Sequence, residues 1–281
     1  MSFGRLFRQQ LKQALRRKEF TIALAVVMLL CLLSFLYYCK EFQGAERNSV
    51  FPAYDAFAGN YSVLGLAGNL KIFFPILAVL PFADSFLVDR KLGEQTLTLT
   101  RATPSRYYWA KGAAVFLSAF LVFFIPLLTN YLLNFLAFPI ESYSHFGYDS
   151  SSGWYYDTMG QILFAPVFWN HPYLYNLLFV FYISAMCGLV ALFTYALSFL
   201  IRNRLVTLFL LFFLNLSSFY LESTIYNLAK ITSDYGISAY IFAFADRLEK
   251  NYVFYFAFLG VLIIGSVALI CWKSARRRDV L

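Results

Sequence analysis

The side chains that most often carry catalysis or bind metals are scarce in this sequence and poorly spaced for either task. The two histidines, His145 and His171, lie far from each other and from any cysteine, which argues against a metal site. No GxxxxGK(S/T) loop, GxSxG elbow or HExxH pair occurs. The cysteines lie within apolar segments or at their ends, which predicts packing roles for Cys31, Cys39, Cys187 and Cys271. We expect no catalytic residue, metal or cofactor in this chain.

Six long apolar stretches separate the polar segments. Each is close to the roughly 20 residues that an apolar helix needs to cross a bilayer. They predict membrane spans at 20–38, 70–88, 112–138, 175–201, 205–221 and 252–272. We therefore expect an all-α integral membrane protein with one transmembrane domain over residues 1–281. An even number of crossings returns both termini to one side of the membrane.

The basic residues are distributed unevenly about these spans. The two terminal segments and the even-numbered connections hold 17 of the 23 lysines and arginines. Ten of the 15 acidic residues lie on the other side of the predicted membrane. The positive-inside rule therefore predicts cytoplasmic termini.

Composition excludes a soluble domain, because 60% of the 281 residues are hydrophobic and only 14% are charged. The formal net charge of +8 is not a sign of nucleic-acid binding, because the basic residues flank the spans and form no separate basic domain. Anionic lipid headgroups are the expected partner of these residues.

Polar residues within the predicted spans are candidates for function, because a charge near the bilayer centre costs about 2.5–3.5 kcal/mol. Asp84 precedes Asp89 by about 7 Å along a helix axis, which favours the wet cytoplasmic mouth of the bundle over a buried proton relay. Asn130 and Asn134 share one helix face, and Asn215 lies in the fifth span. The three asparagines could line a cavity or make interhelical hydrogen bonds, and the sequence favours neither interpretation.

The segments outside the spans are short. Residues 1–19 carry an apolar stripe at helical spacing opposite basic side chains, which predicts an amphipathic helix in the cytoplasmic interface. The connections at 139–174 and 222–251 are predicted to be a small cap and a re-entrant or interfacial segment. Pro75, Pro81 and Pro126 predict helix kinks.

The densest polar segment on the basic side joins spans two and three. A short helix beginning after Gly93 would place Glu94 and Thr96 in its first turn, where an anion and a hydroxyl suit the free N–H groups. Leu97 and Leu99 would then face the bundle. This segment is longer than a plain connector requires, so we expect it to act as a rigid lever.

This segment resembles the cytoplasmic coupling segment of type-2 permeases, the transmembrane subunits of the ABC transporter superfamily. Asp89 and Arg90 match the family's acidic-basic exit from span two, and Thr96 stands eight residues before Pro104, as the family's threonine does. Pro104, Ser105 and Arg106 match the closing turn, and Lys111 and Gly112 match the approach to span three. The sequence departs from the family where Gln95 replaces a glycine, where Gly93 falls two places early and where Ser105 follows Pro104 directly.

The resemblance implies a stand-alone six-span exporter subunit in a bacterial plasma membrane. It implies two separate ATPase subunits that bind ATP and Mg²⁺, and a second permease chain, identical or homologous. The cargo would be amphipathic or hydrophobic, such as a peptide, a bacteriocin or a drug. The implied ATPase-coupling residues are Asp89, Arg90, Glu94, Gln95, Thr96, Pro104, Ser105 and Arg106.

Two other functions remain open. An ATP-independent secondary transporter or channel would need no ATPase, but the sequence lacks the paired midplane charges expected of one. A non-transporting subunit that senses an antibiotic would share the same architecture.

Overall fold

The computed structural model describes residues 2–46, 50, 52–54, 56–57, 66–100, 102–140, 165–229, 237, 241 and 252–275. Its regular elements are α-helices, which confirms the all-α prediction for this part of the chain. In chain order they are α1 (Phe3–Leu15), α2 (Lys18–Glu41), α3 (Leu66–Val79), α4 (Ser85–Leu92), α5 (Glu94–Leu99), α6 (Pro104–Ala137), α7 (Ala165–Asn170), α8 (Pro172–Leu197), α9 (Arg204–Ala229) and α10 (Tyr252–Ala275).

Four helices are long and apolar enough to cross a membrane. They are α2, α6, α8 and the Tyr255–Ala275 part of α10. They cover most of the predicted spans at 20–38, 112–138, 175–201 and 252–272. The predicted span at 205–221 lies in α9, whose apolar part, Arg204–Ser218, is shorter. The described part of the chain is therefore α-helical, with four helices that suit a membrane-spanning protein.

The predicted span at 70–88 is not one continuous helix, and it is interrupted next to Pro81, where the sequence predicts a kink. α3 ends at Val79, α4 begins at Ser85, and turns occupy residues 80–84. Pro81 accounts for the break, because it has no N–H to donate to the carbonyl of Leu77 and its ring clashes with that carbonyl. Pro75, in contrast, lies inside α3. Pro126 also lies inside a helix, since α6 continues through it.

α6 and α8 form the central pair of the bundle and share its most extensive interface. Gly188 of α8 permits this approach, because a Cβ there would lie 2.8 Å from the Phe116 ring of α6. The other spanning helices pack around this pair. At about 51 Å, α6 is longer than the roughly 30 Å hydrocarbon core. α6 also packs against α1, and its first turns contact α5.

The amphipathic helix expected at the N-terminus is present as α1. Leu6 and Ala14 are fully buried, while Arg5 and Arg8 are exposed. α1 packs on α6 far more extensively than on α2. The apolar stripe thus packs against protein, a partner that the sequence interpretation did not assign to it.

The predicted connections contain more helix than expected. α9 continues eight residues beyond the predicted end of its span, as far as Ala229, and α7 forms within the 139–174 connection. Residues 141–164 lie outside the described part of the chain. So does most of the 230–251 segment, including the centre of the predicted re-entrant region.

Several helix ends meet at one end of the bundle, which we call the basic end. The α1–α2 junction and the start of α9 meet the turn before α4 through Arg17, Arg204 and Asp84. The end of α10 also lies here, because the Lys273 ammonium is 5.8 Å from the centre of the Phe86 ring.

Candidate coupling site at the basic end

Asp84 forms an ion-pair centre that joins three parts of the chain. Its side chain is 1% exposed and lies in the turn that splits the second predicted span. Arg17 Nη1 donates to Asp84 Oδ1 at 2.8 Å, and Arg204 Nε lies 2.6 Å from Oδ2. Arg204 Nη2 also lies 3.6 Å from Glu19 Oε1. Both of these side chains are substantially exposed, so this second ion pair adds little stability.

The Asp84 side chain itself is buried, at the basic end of the bundle. Two guanidinium groups enclose the Asp84 carboxylate and compensate for its removal from water. Its ion pairs therefore hold the α1–α2 junction and the start of α9 next to the turn that separates α3 from α4. It lies inside a packed cluster of charged groups.

Asp89 forms a second buried charge centre, between α4 and α6. The Lys111 ammonium and the Tyr107 hydroxyl both donate to Asp89 Oδ2, the hydroxyl at 2.7 Å. Lys111 is fully buried, and Asp89 is 3% exposed. Tyr107 and Lys111 stand one helical turn apart on α6, so both point at the same carboxylate. This contact fixes α4 to the start of α6.

The Phe82 ring connects the two charge centres. The Arg17 guanidinium lies 4.8 Å from the ring centre, and the Lys111 ammonium lies 5.6 Å from it. Both distances suit cation–π attraction. Because Phe82 lies in the helix break, both charge centres contact the break through this ring.

The short helix α5 is attached to the same structure. α4 ends at Gly93, whose φ of +73° favours glycine, and the chain turns there into α5. Gln95 Nε2 donates to the Tyr108 hydroxyl at 3.1 Å, in a buried position. Tyr195 of α8 donates to the Tyr108 carbonyl at 3.2 Å. Leu99 is buried, as the sequence predicted, so α5 is held against the first turns of α6.

The predicted coupling residues divide into two groups. Asp89 and Gln95 are buried and contact α6. Arg90, Ser105 and Arg106 are exposed, and Pro104 is half-buried at the start of α6. Glu94 and Thr96 lie in the first turn of α5, and their side chains are outside the described part of the structure.

The three predicted asparagines each bond to a backbone carbonyl from a distant part of the chain. Asn130 Nδ2 donates to Cys31 at 2.9 Å, Asn134 Nδ2 to Ala56 at 3.3 Å, and Asn215 Nδ2 to Ile72 at 3.4 Å. Asn134 also donates to Asn130 Oδ1 at 3.1 Å. All three side chains are buried. The bonds of Asn130 and Asn215 join two helices, whereas that of Asn134 joins α6 to the segment at Ala56. Interhelical hydrogen bonding is one of the two roles that the sequence left open.

Sequence reasoning did not identify the partners that complete these centres. Arg17 and Arg204 were counted only as topology signals, and Lys111 only as part of the approach to span three. The sequence contains one signal for such a partner. Lys111 follows Tyr107 by one turn near the start of an apolar helix, and a lysine buried there needs a nearby anion. Asn176, which donates to the Tyr54 carbonyl at 2.8 Å, was also missed.

Together these features define a class for the described part of the chain: an α-helical protein with helices long and apolar enough to span a membrane. Buried charge pairs fix α4 and the turn before it to the bundle, and a buried hydrogen bond holds α5 on α6. Comparisons of the chain with family models, with curated proteins and with solved structures find no significant match.

Proposed function

We propose that this chain is the membrane-spanning subunit of an ATP-driven ABC exporter, powered by separate ATPase subunits. The observation that carries the proposal is the attachment of α5. This short helix lies between the split second span and α6. A buried hydrogen bond from Gln95 fixes it to α6, and a buried ion pair fixes Asp89 of the preceding helix α4 to α6 as well. A helix held in this way transmits a push from outside the membrane to the spanning helices.

The proposal includes six crossings with both termini in the cytoplasm. In support, the starts of α2, α6 and α9 and the ends of α4 and α10 all contribute to the basic end. Two further crossings would be made by α9 and by the α3–α4 pair with its break. The excess of basic residues in the segments at this end suits a cytoplasmic side.

The proposed mechanism divides the coupling residues by their exposure. Arg90, Ser105 and Arg106 belong to the surface that contacts the ATPase, together with the first turn of α5. Asp89 and Gln95 transmit movement of α5 into α6. The ATPase would bind one permease conformation more tightly when closed on ATP, and this difference in affinity converts nucleotide binding into motion.

The complex would contain two ATPase subunits, which bind ATP and Mg²⁺, and a second permease chain, identical or homologous. The cargo would be an amphipathic or hydrophobic molecule such as a peptide, a bacteriocin or a drug. It would be moved out of the cell across a bacterial plasma membrane.

Co-purification from the native membrane tests the proposal. The full chain should bring down a soluble protein with a Walker motif, and ATP hydrolysis should accompany it. Glu94→Lys with Arg106→Glu should weaken that association by about tenfold or more, because like charges then face the docking surface.

Lys40→Glu with Glu41→Lys is the matched control. It also exchanges one acid and one base, at exposed positions near the end of α2 away from the basic end, and should leave association unchanged. Equal ATPase recovery from the Glu94/Arg106 variant and the unmodified chain would contradict the coupling role. Full transport by the chain reconstituted alone, without nucleotide, would contradict the whole proposal.

A further inference from the structure

A cleft of about 690 Å³ opens at the basic end, between α4 and the connection from α8 to α9. Arg90 and Lys91 line it from α4, together with Leu87 and Val88, and Arg202 and Arg204 line it from the other side. The coupling proposal uses only Arg90 of these four cations and the Asp84 centre uses only Arg204, so neither explains why all four share one cleft.

The cleft carries an excess of positive charge. Arg204 is engaged with Asp84, but Arg90, Lys91 and Arg202 form no ion pair with a carboxylate of the described residues. All three side chains are exposed. Cations gathered without an acid repel one another, so the cleft is electrostatically suited to an anion that touches several of them.

The position of the cleft suits a lipid rather than a soluble anion. Arg202 and Arg204 lie in and just after the short connection between two apolar helices, which is the level of the membrane surface. Leu200 is 54% exposed and Leu205 64% exposed on either side of this connection. An acyl chain could lie along these side chains while its phosphate reaches the cations.

We propose that this cleft binds the headgroup of an anionic phospholipid, with its acyl chains against the apolar surface at the start of α9. The lipid phosphate would bridge Lys91 and Arg202, and so would connect α4 to the α8–α9 connection. Basic pockets between membrane helices are established lipid headgroup sites in other proteins. This inference does not depend on the presence of an ATPase.

Thermal unfolding of the detergent-purified full chain tests the site. Phosphatidylglycerol should raise the melting temperature in a concentration-dependent way, because it binds the folded state, and phosphatidylcholine with the same acyl chains should raise it much less. Lys91→Gln with Arg202→Gln should weaken the apparent affinity for phosphatidylglycerol by roughly twenty- to thirtyfold. Neither residue belongs to the proposed coupling set.

Arg5→Gln with Arg8→Gln is the matched control, because it removes two exposed cations of α1 outside the cleft. This variant should keep the affinity of the unmodified chain. An equal loss in both variants would overturn the proposal in favour of diffuse charge attraction. Equal stabilisation by the two lipids would also overturn it.

Two further measurements distinguish a lipid from a soluble anion and cover the case of a variant that does not fold. Glycerol phosphate, which has no acyl chains, should not reproduce the stabilisation, and if it does, the cleft is a site for soluble anions. Should the Lys91/Arg202 variant fail to fold, Lys91→Arg with Arg202→Lys should retain binding. Stabilisation of that variant that does not weaken with salt would then contradict a charge-based headgroup site.

Discussion

The carboxylate of Asp84 and the guanidinium of Arg17, 67 residues apart in the chain, lie 2.8 Å from each other where the second apolar segment breaks. Arg204 reaches the same carboxylate from the start of α9. One buried acid thus ties the N-terminal helix pair and a later apolar helix to the irregular turn formed around Pro81. This ion pair and the neighbouring Asp89–Lys111 pair join the helix ends that make up the basic end.

Replacing Asp84 by Asn should destabilise the chain by about 3 kcal/mol, because it leaves the largely buried Arg17 without its carboxylate. Arg204→Gln should cost less, because that side chain is 50% exposed and Arg17 still pairs with Asp84. Melting temperatures in detergent measure both effects. An equal loss in the two variants would show that Asp84 is not the centre of the cluster.

The Asp89–Lys111 pair should behave non-additively. Lys111→Met alone leaves a buried carboxylate uncompensated and should cost about 3–5 kcal/mol, whereas Lys111→Met with Asp89→Leu should recover much of that stability. A double-mutant cycle on thermal unfolding measures the coupling. Additive effects would mean that the two groups do not interact in the folded protein.

Tyr108→Phe should separate docking from transmission, a prediction that rests on the proposed function. It removes the acceptor of the buried Gln95 amide, at a cost of about 1–3 kcal/mol, and changes no exposed coupling residue. We expect the ATPase to co-purify normally while transport per ATP hydrolysed falls. Tyr37→Phe, which removes a hydroxyl near the other end of α2, is the control and should leave this ratio unchanged. Loss of ATPase association from Tyr108→Phe would contradict the division between surface and interior residues.

Gly188→Ala should loosen the central helix pair. The added Cβ would lie 2.8 Å from the Phe116 ring and 3.1 Å from its carbonyl oxygen, so α6 and α8 must move apart. We expect a loss of about 1–3 kcal/mol, read from the melting temperature. Gly260→Ala is the matched control, because a Cβ at that position meets nothing within 4 Å. The control should be neutral, and comparable losses would exclude the steric explanation.

Substitution of Asn130 by Leu decides between the two roles that its sequence allowed. If the residue joins helices, the variant should lose roughly 0.6–1.7 kcal/mol through the Cys31 and Asn134 contacts. If the chain is an exporter, as proposed, its cargo preference should then stay the same. Asn170→Ala, at an exposed amide that bonds only within its own helix turn, should change neither quantity. Altered cargo preference at unchanged stability would favour a cavity-lining role for Asn130.

Local patterns in the sequence predicted most of the helices of this protein. Runs of apolar residues located most of the helices, because the hydrocarbon thickness fixes the length of an apolar crossing. Gly93 marked the end of α4 and the start of α5, because a left-handed turn favours glycine. The apolar stripe of α1 predicted the helix but not what would cover it.

The partners of the charged residues could not be predicted in the same way. Asp84 and Asp89 were visible as acids near the basic side, yet their cations lie 67 and 22 residues away. Sequence patterns report spacing within one helix, whereas these contacts depend on which helices pack side by side. The break at Pro81 likewise became significant only when the bundle enclosed it and surrounded Asp84.

The sequence by itself determined an all-α membrane protein with a basic side and a short helix after Gly93, since hydropathy, charge and turn chemistry are local properties. Only the tertiary structure decided that Asp89 and Gln95 face inward, that Asp84 is held by two arginines, and that Arg90, Lys91 and Arg202 share one cleft. The reason is that burial and pairing depend on contacts between helices that are distant in the chain. The periodicity of a sequence reports spacing within one helix and does not show which helices pack together.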